Sequence, residues 1–333
     1  MKVCIYGAGA IGGLIGTRLA AGRRCQVGAV ARGATLQALQ QHGWRLQTPS
    51  RLETAPVRAV ADPADLGVQD LVVVAVKGPA MADVARRIGP LLGPQTVVLP
   101  AINGVPWWFC QGLDGEAAGM DLATIDPGGV TARAIPIRHV VGCVVHAAAA
   151  ATQPGVVNHK MGKDLIIGEP AGGESPRVQR LAALLAHAGF DVTIDRRIQR
   201  AIWYKLWGNL TMNPVSAITG ATTDRILEDP LVRSFCSAAM AEAAAVGARI
   251  GCAIDQDPED RHAVTRKLGS FKTSMLQDVE AGRPLEIDSI VAAVPEIGAR
   301  VGVATPHIDA LLGLTRLFAR MRGLYPQAST SAF

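Results

Sequence analysis

The opening of the chain constrains it most. Lys2–Tyr6 is a short apolar run with strand character, and it leads directly into Gly7-Ala8-Gly9-Ala10-Ile11-Gly12. A stretch with helical character, Ile11–Ala21, comes at once after it. Each glycine of the hexapeptide has its own job. Gly7 takes the tight turn, Gly9 lets backbone approach a pyrophosphate, and Gly12 lets the helix pack closely on the strand. The helix N-terminus then offers N–H groups and the positive end of its dipole to the anion. GxGxxG alone is a weak signal. Between a first strand and a helix it is a dinucleotide-binding fingerprint, so Gly7, Ala8, Gly9, Ala10, Ile11 and Gly12 are candidate cofactor contacts.

The first half continues to alternate. Strands are expected at Gln26–Ala31, Leu71–Val76, Thr96–Leu99, Val140–Val145, Leu165–Ile167 and Val192–Ile194, with helices at Met81–Leu92 and Val178–Ala188. The Val-rich run Leu71–Val76 has no polar face, as a strand buried on both sides of a parallel sheet requires. Near Arg196 the pattern changes. Ile198–Asn213, Leu231–Ile250, Arg261–Ala281, Glu286–Val301 and Ile308–Arg322 are Ala- and Leu-rich and read as helices. The fold class expected is α/β: an N-terminal Rossmann domain on a doubly wound parallel sheet, then an all-helical C-terminal domain. The boundaries expected are 1–195 for the cofactor domain, 196–326 for the helical domain and 327–333 for a tail. A length of 333 residues suits two domains.

An NAD site wants an acid at the end of the second strand, to hold the ribose hydroxyls. Here that strand ends Ala29-Val30-Ala31-Arg32. A guanidinium there pairs with a 2′-phosphate, so the cofactor expected is NADP (NADPH), with Arg32 reading the phosphate. An ordinary surface charge is the alternative for Arg32. The net charge of +5 is mild and the basic residues form no long run, so no nucleic acid is expected as partner. A mild positive balance suits anionic ligands. The glycines of the first 16 residues argue against a signal peptide, and Leu71–Val76 is far too short to span a bilayer. No membrane partner is expected, and the localisation expected is cytoplasmic. The six cysteines form no CxxC pair, which reads as reduced thiols; no metal site is expected.

The segment richest in chemistry is Trp203-Tyr204-Lys205-Leu206-Trp207-Gly208-Asn209-Leu210-Thr211-Met212-Asn213-Pro214. Lys205, Asn209 and Asn213 fall at i, i+4 and i+8, on one helix face. A polar ladder among Trp, Leu and Met is costly to bury without partners, and a small anionic carbonyl compound supplies them. Lys205 can donate a proton to the carbonyl oxygen as hydride reaches carbon, while the Asn amides hold substrate oxygens. A solvated helix face is the alternative. A second cluster runs Ser274-Met275-Leu276-Gln277-Asp278, Gly282-Arg283-Pro284, then Glu286-Ile287-Asp288. Ser274 can bind a carboxylate, and Glu286 can act on the Lys205 region or meet a substrate hydroxyl. Helix capping and surface charge would explain the same residues.

These motifs together resemble the ketopantoate reductase (2-dehydropantoate 2-reductase) family over nearly the whole chain. The matches are the glycine loop, Lys77 after the Val-rich strand, Asn103-Gly104 after the next, the Lys205/Asn209/Asn213-Pro214 helix, and above all Ser274–Asp278 with Glu286–Asp288. The resemblance implies that Lys205 is the proton donor and that Asn103, Asn209, Asn213 and Ser274 contact substrate. It implies that Gly7–Gly12, Arg32, Lys77, Asn103, Ala148 and Glu286 serve the cofactor, with Glu286 also counted as catalytic. The chain departs from the family pattern at an aromatic insert, Val105-Pro106-Trp107-Trp108-Phe109, and a Gly-rich stretch reaching Asp126-Pro127-Gly128-Gly129. It departs again at Thr222-Thr223-Asp224, where some members carry another substrate-binding Asn, and at Ala292, near a frequent Gly. Trp107 and Trp108 either shape the substrate side or a partner surface, or pack beneath a long loop.

The activity expected is NADPH-dependent reduction of a 2-oxo acid to a 2-hydroxy acid, with 2-dehydropantoate (ketopantoate) leading and pantothenate biosynthesis as its setting. A related 2-oxo or 3-hydroxy acid dehydrogenase, of the hydroxyisobutyrate or phosphogluconate type, is the rival enzyme. A non-catalytic NADP-binding sensor is the rival from another class. The expected partner is a small-molecule 2-oxo acid, with a homodimer left open.

Overall fold

The computed structural model describes residues 1–327. By packing, the chain divides into two units: residues 1–102, 106–112 and 128–201, and residues 103–105, 113–127 and 202 onward. The division is therefore not a single cut near residue 196, because two segments between residues 103 and 127 pack with the C-terminal unit. The tail expected over 327–333 lies, apart from Gln327, outside the described residues.

The first unit opens with β1 (Lys2–Tyr6), α1 (Ala10–Ala21), β2 (Gln26–Val30), α2 (Gly33–His42), β3 (Trp44–Gln47), β4 (Leu52–Ala55) and β5 (Arg58–Val60). It continues through β6 (Leu71–Val74), α3 (Met81–Arg87), β7 (Val97–Pro100), α4 (Val130–Ala134), β8 (Gly142–Gln153), β9 (Val156–Gly168), α5 (Pro176–His187) and β10 (Asp191–Ile194). One sheet has the order β5-β2-β1-β6-β7 and is parallel throughout. Val3, Cys4, Ile5 and Leu71–Val74 are wholly buried, as a sheet covered on both faces demands. The strand order reverses between β1 and β6, and ligands of open α/β sheets bind beyond the carboxyl ends of the strands at such a point.

A second sheet, ordered β10-β9-β3-β4 with β8 paired to β9, is separate from the first, whereas the sequence pattern puts the strands of β8, β9 and β10 in one doubly wound sheet and does not show β3 or β4. It is mixed: β3–β4 and β8–β9 are antiparallel, while β9 runs parallel to β3 and β10. The strands expected at Val140–Val145 and Leu165–Ile167 are the ends of one long hairpin, β8–β9, with irregularities near Ala148 and Ala151. The run Ala147–Ala151 lacks the β-branched residues that mark strands, so tertiary pairing and not propensity makes it extended.

Trp107 and Trp108 are buried in the first unit at 4% and 1% exposure. A Cβ on Gly142 would fall 2.7 Å from the Trp108 ring, so the two fit as ring against bare backbone. The aromatic insert is core, and of its two readings only packing matches this placement.

After Ile202 every described element is helical: the rest of α6 (Ile198–Thr219), α7 (Thr223–Glu228), α8 (Pro230–Arg249), α9 (Pro258–Arg266), α10 (Ser274–Glu280), α11 (Ala293–Arg300) and α12 (Pro306–Met321). The single helix expected over Arg261–Ala281 is two, because Gly269 (φ +62°) and residues 270–273 break it. Thr223 holds that break through N–H to the Phe271 carbonyl (3.0 Å) and hydroxyl to the Gly269 carbonyl (3.1 Å). The helix expected from Glu286 begins with a π-helical turn, Asp288–Ala292. The loop after the aromatic insert is tied to α11, where the Glu296 carboxylate accepts the N–H groups of Ala123 (2.7 Å) and Thr124 (3.1 Å).

By length and composition α8 is apolar enough to cross a membrane, a stretch longer than the run Leu71–Val76 weighed from the sequence. Its apolar side is committed to the unit's own core. Cys236, Ala239, Met240, Ala243 and Val246 are buried, and the indole N–H groups of Trp203 and Trp207 donate to the Ala243 and Met240 carbonyls.

Candidate active site

In the first unit the glycine loop lies at the carboxyl end of β1. Gly7 has φ +98°, and a Cβ there would fall 2.6 Å from the Val76 side chain and 2.9 Å from the Ala75 carbonyl oxygen. A Cβ on Gly12 would meet the Gly7 carbonyl oxygen at 1.9 Å, so helix and turn are in contact only because both are glycine. Gly9 is different: nothing lies within 4 Å of its added Cβ. It is the exposed N-cap of α1, and no side chain caps that helix. Open space in front of an uncapped helix start is what a pyrophosphate needs.

Arg32 leaves the end of β2 as the N-cap of α2, exposed and paired with the Asp83 carboxylate on α3, which also meets Arg86 at 3.4 Å. Arg87 reaches back to the Ala61 carbonyl (2.8 Å). Burial pushes the Tyr6 phenol upward, against the pull of Arg87 and Arg32 and with the push of Asp83. Arg32 beyond β2 and Arg86 and Arg87 on α3 thus put three basic groups around the one carboxylate of Asp83. Lys77 is half-buried just beyond β6, and Ala148 sits half-buried at a register shift of β8. The sequence did not point to Asp83; nothing in its spacing relates it to Arg32, which lies on another element.

In the second unit the site is built on α6. Lys205 and Asn209 are half-buried and Asn213 is buried, at 4% exposure. The Lys205 Nζ donates to Asn103 Oδ1 at 2.9 Å, across 102 residues of sequence. Asn103 is held by the two residues after it. Gly104 takes φ +79°, and the Val105 N–H donates to the Ser289 carbonyl at 2.8 Å. The turn is thereby fixed to the π-helical turn directly after Glu286. Glu286 itself is buried, at 9% exposure. Below Asn213 on α6, Ser216 pairs with Thr273 (2.7 Å), the residue that caps α10. Ser274 is therefore the exposed first residue of α10, next to a cap anchored on α6. Asp224 is held by Thr222 and by Ser270 (2.7 Å), and these hydroxyls pull its carboxyl down to about 2. At Thr222-Thr223-Asp224 the side chains therefore serve the α7–α10 connection.

Asn213 Nδ2 and Ser289 Oγ, on α6 and the π-helical turn, are buried without a hydrogen-bond partner. Burying a donor unpaired is unfavourable, so each is a place where a ligand atom would restore what folding gave up. Burial pushes the Cys4 thiol up to about 12 and the Cys236 thiol up to about 11, so neither offers a competing nucleophile.

The glycine loop and the Lys205–Asn103 pair can be compared with known proteins. Residues 3–107 match the family model described as ketopantoate reductase PanE/ApbA, and residues 197–319 match its C-terminal counterpart. The chain belongs to the ketopantoate reductase family. A 2-dehydropantoate 2-reductase of Mesorhizobium japonicum is 43% identical to it, over 98% of this chain and 100% of the relative. One from Halobacterium salinarum is 30% identical, over 96% and 99%. A crystal structure from Ralstonia solanacearum MolK2, provisionally named a ketopantoate reductase, superimposes with a TM-score of 0.93 at 58% identity, covering 97% of this chain and 99% of that one. Family membership accounts for both halves of the architecture, the Rossmann sheet and the helices behind it.

Proposed function

We propose that this chain catalyses the NADPH-dependent reduction of a 2-oxo acid, 2-dehydropantoate, to the corresponding 2-hydroxy acid. One observation carries the reading: Lys205 on α6 is aimed by a 2.9 Å hydrogen bond to Asn103, on the helix face that also holds the unpaired buried amide of Asn213. The division of labour is a cofactor domain built mainly from 1–195 and a substrate domain built mainly from 196–326, to which residues 103–105 and 113–127 also belong.

The residues fit the cofactor. Gly7–Gly12 leave space and N–H groups for the pyrophosphate, and Arg32 is an exposed guanidinium where a 2′-phosphate would be read. Lys77 and Ala148 belong to the same side. NADPH, when bound, supplies the hydride to the ketone carbon. The chain supplies the proton: Lys205 Nζ–H gives it to the carbonyl oxygen, leaving a neutral amine that is reprotonated from solvent. The Asn103 amide oxygen fixes one of the three ammonium N–H bonds and so the direction of the side chain. Asn213 Nδ2 and Asn209 donate to substrate oxygens, Ser274 binds the carboxylate, and Glu286 holds the Lys205 region in place.

The test is NADPH oxidation across a panel of 2-oxo acids, with Lys205→Ala alongside. The variant should lose about 10²- to 10⁴-fold in kcat, the usual worth of a positioned proton donor, and keep its NADPH affinity. Near wild-type turnover in the variant would move the proton donor elsewhere, with Lys77 next in line. Turnover on other 2-oxo acids but not on 2-dehydropantoate would favour the rival dehydrogenase.

A further inference from the structure

We propose that Ser289 is a further substrate-contacting residue, its hydroxyl left unpaired in the fold so that it can meet an oxygen of the 2-oxo acid. The inference rests on the functional reading above and adds a residue to that site. Ser289 is 7% exposed, and its Oγ is buried without a hydrogen-bond partner. Apart from the half-buried Asp288 before it, its neighbours in sequence, Ile287, Ile290, Val291 and Ala292, are buried apolar residues. At such a position a methyl group would satisfy packing without desolvating a hydroxyl, so the serine needs another reason.

Its placement supplies one. Ser289 sits in the π-helical turn Asp288–Ala292, and such turns within helices occur frequently at functional sites. Its carbonyl accepts the Val105 N–H at 2.8 Å, and its Cβ lies 2.7 Å from where a Cβ on Gly104 would be. Ser289 is therefore packed against the very turn whose Asn103 amide holds the Lys205 Nζ. A hydroxyl there both donates and accepts, so it serves a carboxylate, a carbonyl or a nascent hydroxyl oxygen. Asn213 Nδ2, on the α6 face that carries Lys205, is another unpaired buried donor in the same unit.

Ser289→Ala separates a reserved hydroxyl from a structural one, because the two roles predict opposite results. If the hydroxyl is kept for substrate, the unliganded variant melts at the same temperature as wild type or higher. Its NADPH affinity is unchanged, its kcat stays within about 2-fold, and its KM for the best 2-oxo acid rises about 2- to 10-fold, the worth of one net hydrogen bond. Ser289→Cys, close in size and a weak donor, should fall between. A KM unmoved in Ser289→Ala, with wild type active, would overturn this proposal alone. A lowered melting temperature together with weakened NADPH binding would also overturn it, by making the hydroxyl structural. A wild type inactive on every 2-oxo acid would remove the functional reading and this proposal with it.

Discussion

Gly104→Ala tests the site through a residue that carries no functional group. Gly104 has φ +79°, where an L-residue is strained by about 1–2 kcal/mol. The new methyl would also fall 2.3 Å from the Ser289 carbonyl oxygen, 2.5 Å from its carbon and 2.7 Å from its Cβ. Ordinary contact is about 3.5 Å, so turn and π-helical segment must part by roughly 1 Å. The atoms in the way include backbone, and no rotamer change relieves them. The Val105 N–H bond to Ser289, 2.8 Å in the native chain, is the first to go, at about 1 kcal/mol. The stability loss is therefore about 2–3 kcal/mol. The effect on rate is larger in proportion, because Asn103 moves with the turn and carries the aim of Lys205 away. A displacement on that scale costs on the order of 10²-fold in kcat. Gly115→Ala is the internal control: Gly115 belongs to the same unit and has φ +75°, but nothing lies within 4 Å of its added Cβ. It should lose only the backbone strain and keep its kcat. Denaturant unfolding and steady-state NADPH oxidation on both variants decide the matter. If Gly104→Ala matches Gly115→Ala in kcat, the turn does not position the proton donor and the reasoning fails.

Two further predictions concern the first unit. Arg32→Ala should weaken NADPH binding about 10- to 100-fold, the range for a charge-assisted hydrogen bond, and leave NADH binding nearly untouched; equal losses in a fluorescence titration would count against a 2′-phosphate contact. Arg32→Ala/Asp83→Asn should recover part of the loss, since Arg32 now shields the Asp83 carboxylate. Glu169 is buried, at 9% exposure, and bonded to Ser175 (2.5 Å) and to Arg177 (2.7 and 2.5 Å). Burial pushes its carboxyl up, but the Arg177 and Ser175 hydrogen bonds outweigh that and hold it below the usual range. Its folded value is depressed, so its contribution is fully present above the unfolded carboxyl value of about 4.3 and is lost as pH falls through the folded one. Glu169→Gln should cost about 2 kcal/mol at neutral pH, discounted from a fully buried pair because Arg177 is partly exposed, and should flatten the acid limb of a Tm-against-pH curve.

How much of this was legible depended on whether the governing contacts are local. Val3–Tyr6 and Leu71–Val74 declare themselves because strands buried on both faces must be apolar throughout. Lys205, Asn209 and Asn213 declare themselves because helical periodicity converts spacing into a shared face. Ala147–Ala151 does not: its extended form comes from pairing with β9, and alanine carries no preference strong enough to show it. Nor does the break at residues 267–273, which depends on Thr223 reaching Gly269 and Phe271 from 46 to 48 residues away. Asn103 entered only through resemblance, since no spacing rule links it to a lysine 102 residues later. Ser289 left a fainter trace, a hydroxyl at the head of the buried apolar run Ile290–Val294. That trace could have been seen, but a small residue in a helix has so many ordinary explanations that it stood out only once its oxygen was found unpaired.

Unpaired buried atoms do not mark a site by themselves. The indole nitrogens of Trp44 and Trp108 are also buried without partners, yet both rings lie in the core of the first unit. Trp108 meets bare backbone at Gly142, and a Cβ on Gly16 would strike the Trp44 ring at 2.6 Å. There a large ring fills space and the lost N–H bond is the lesser term, because burying an indole gains more than one hydrogen bond is worth net. Asn213 and Ser289 have no such compensation. An amide and a hydroxyl bring little apolar surface, so an aliphatic residue of similar size would hold either position at lower cost. On the proposed reading each gives up stability where a ligand would return it, Ser289 against the turn of Asn103 and Asn213 on the helix face of Lys205. That makes a sharp distinction: removing either polar group should leave the unliganded fold no weaker, whereas removing the Trp108 ring should weaken it by the roughly 3–5 kcal/mol typical of a buried aromatic, in denaturant unfolding without any ligand present.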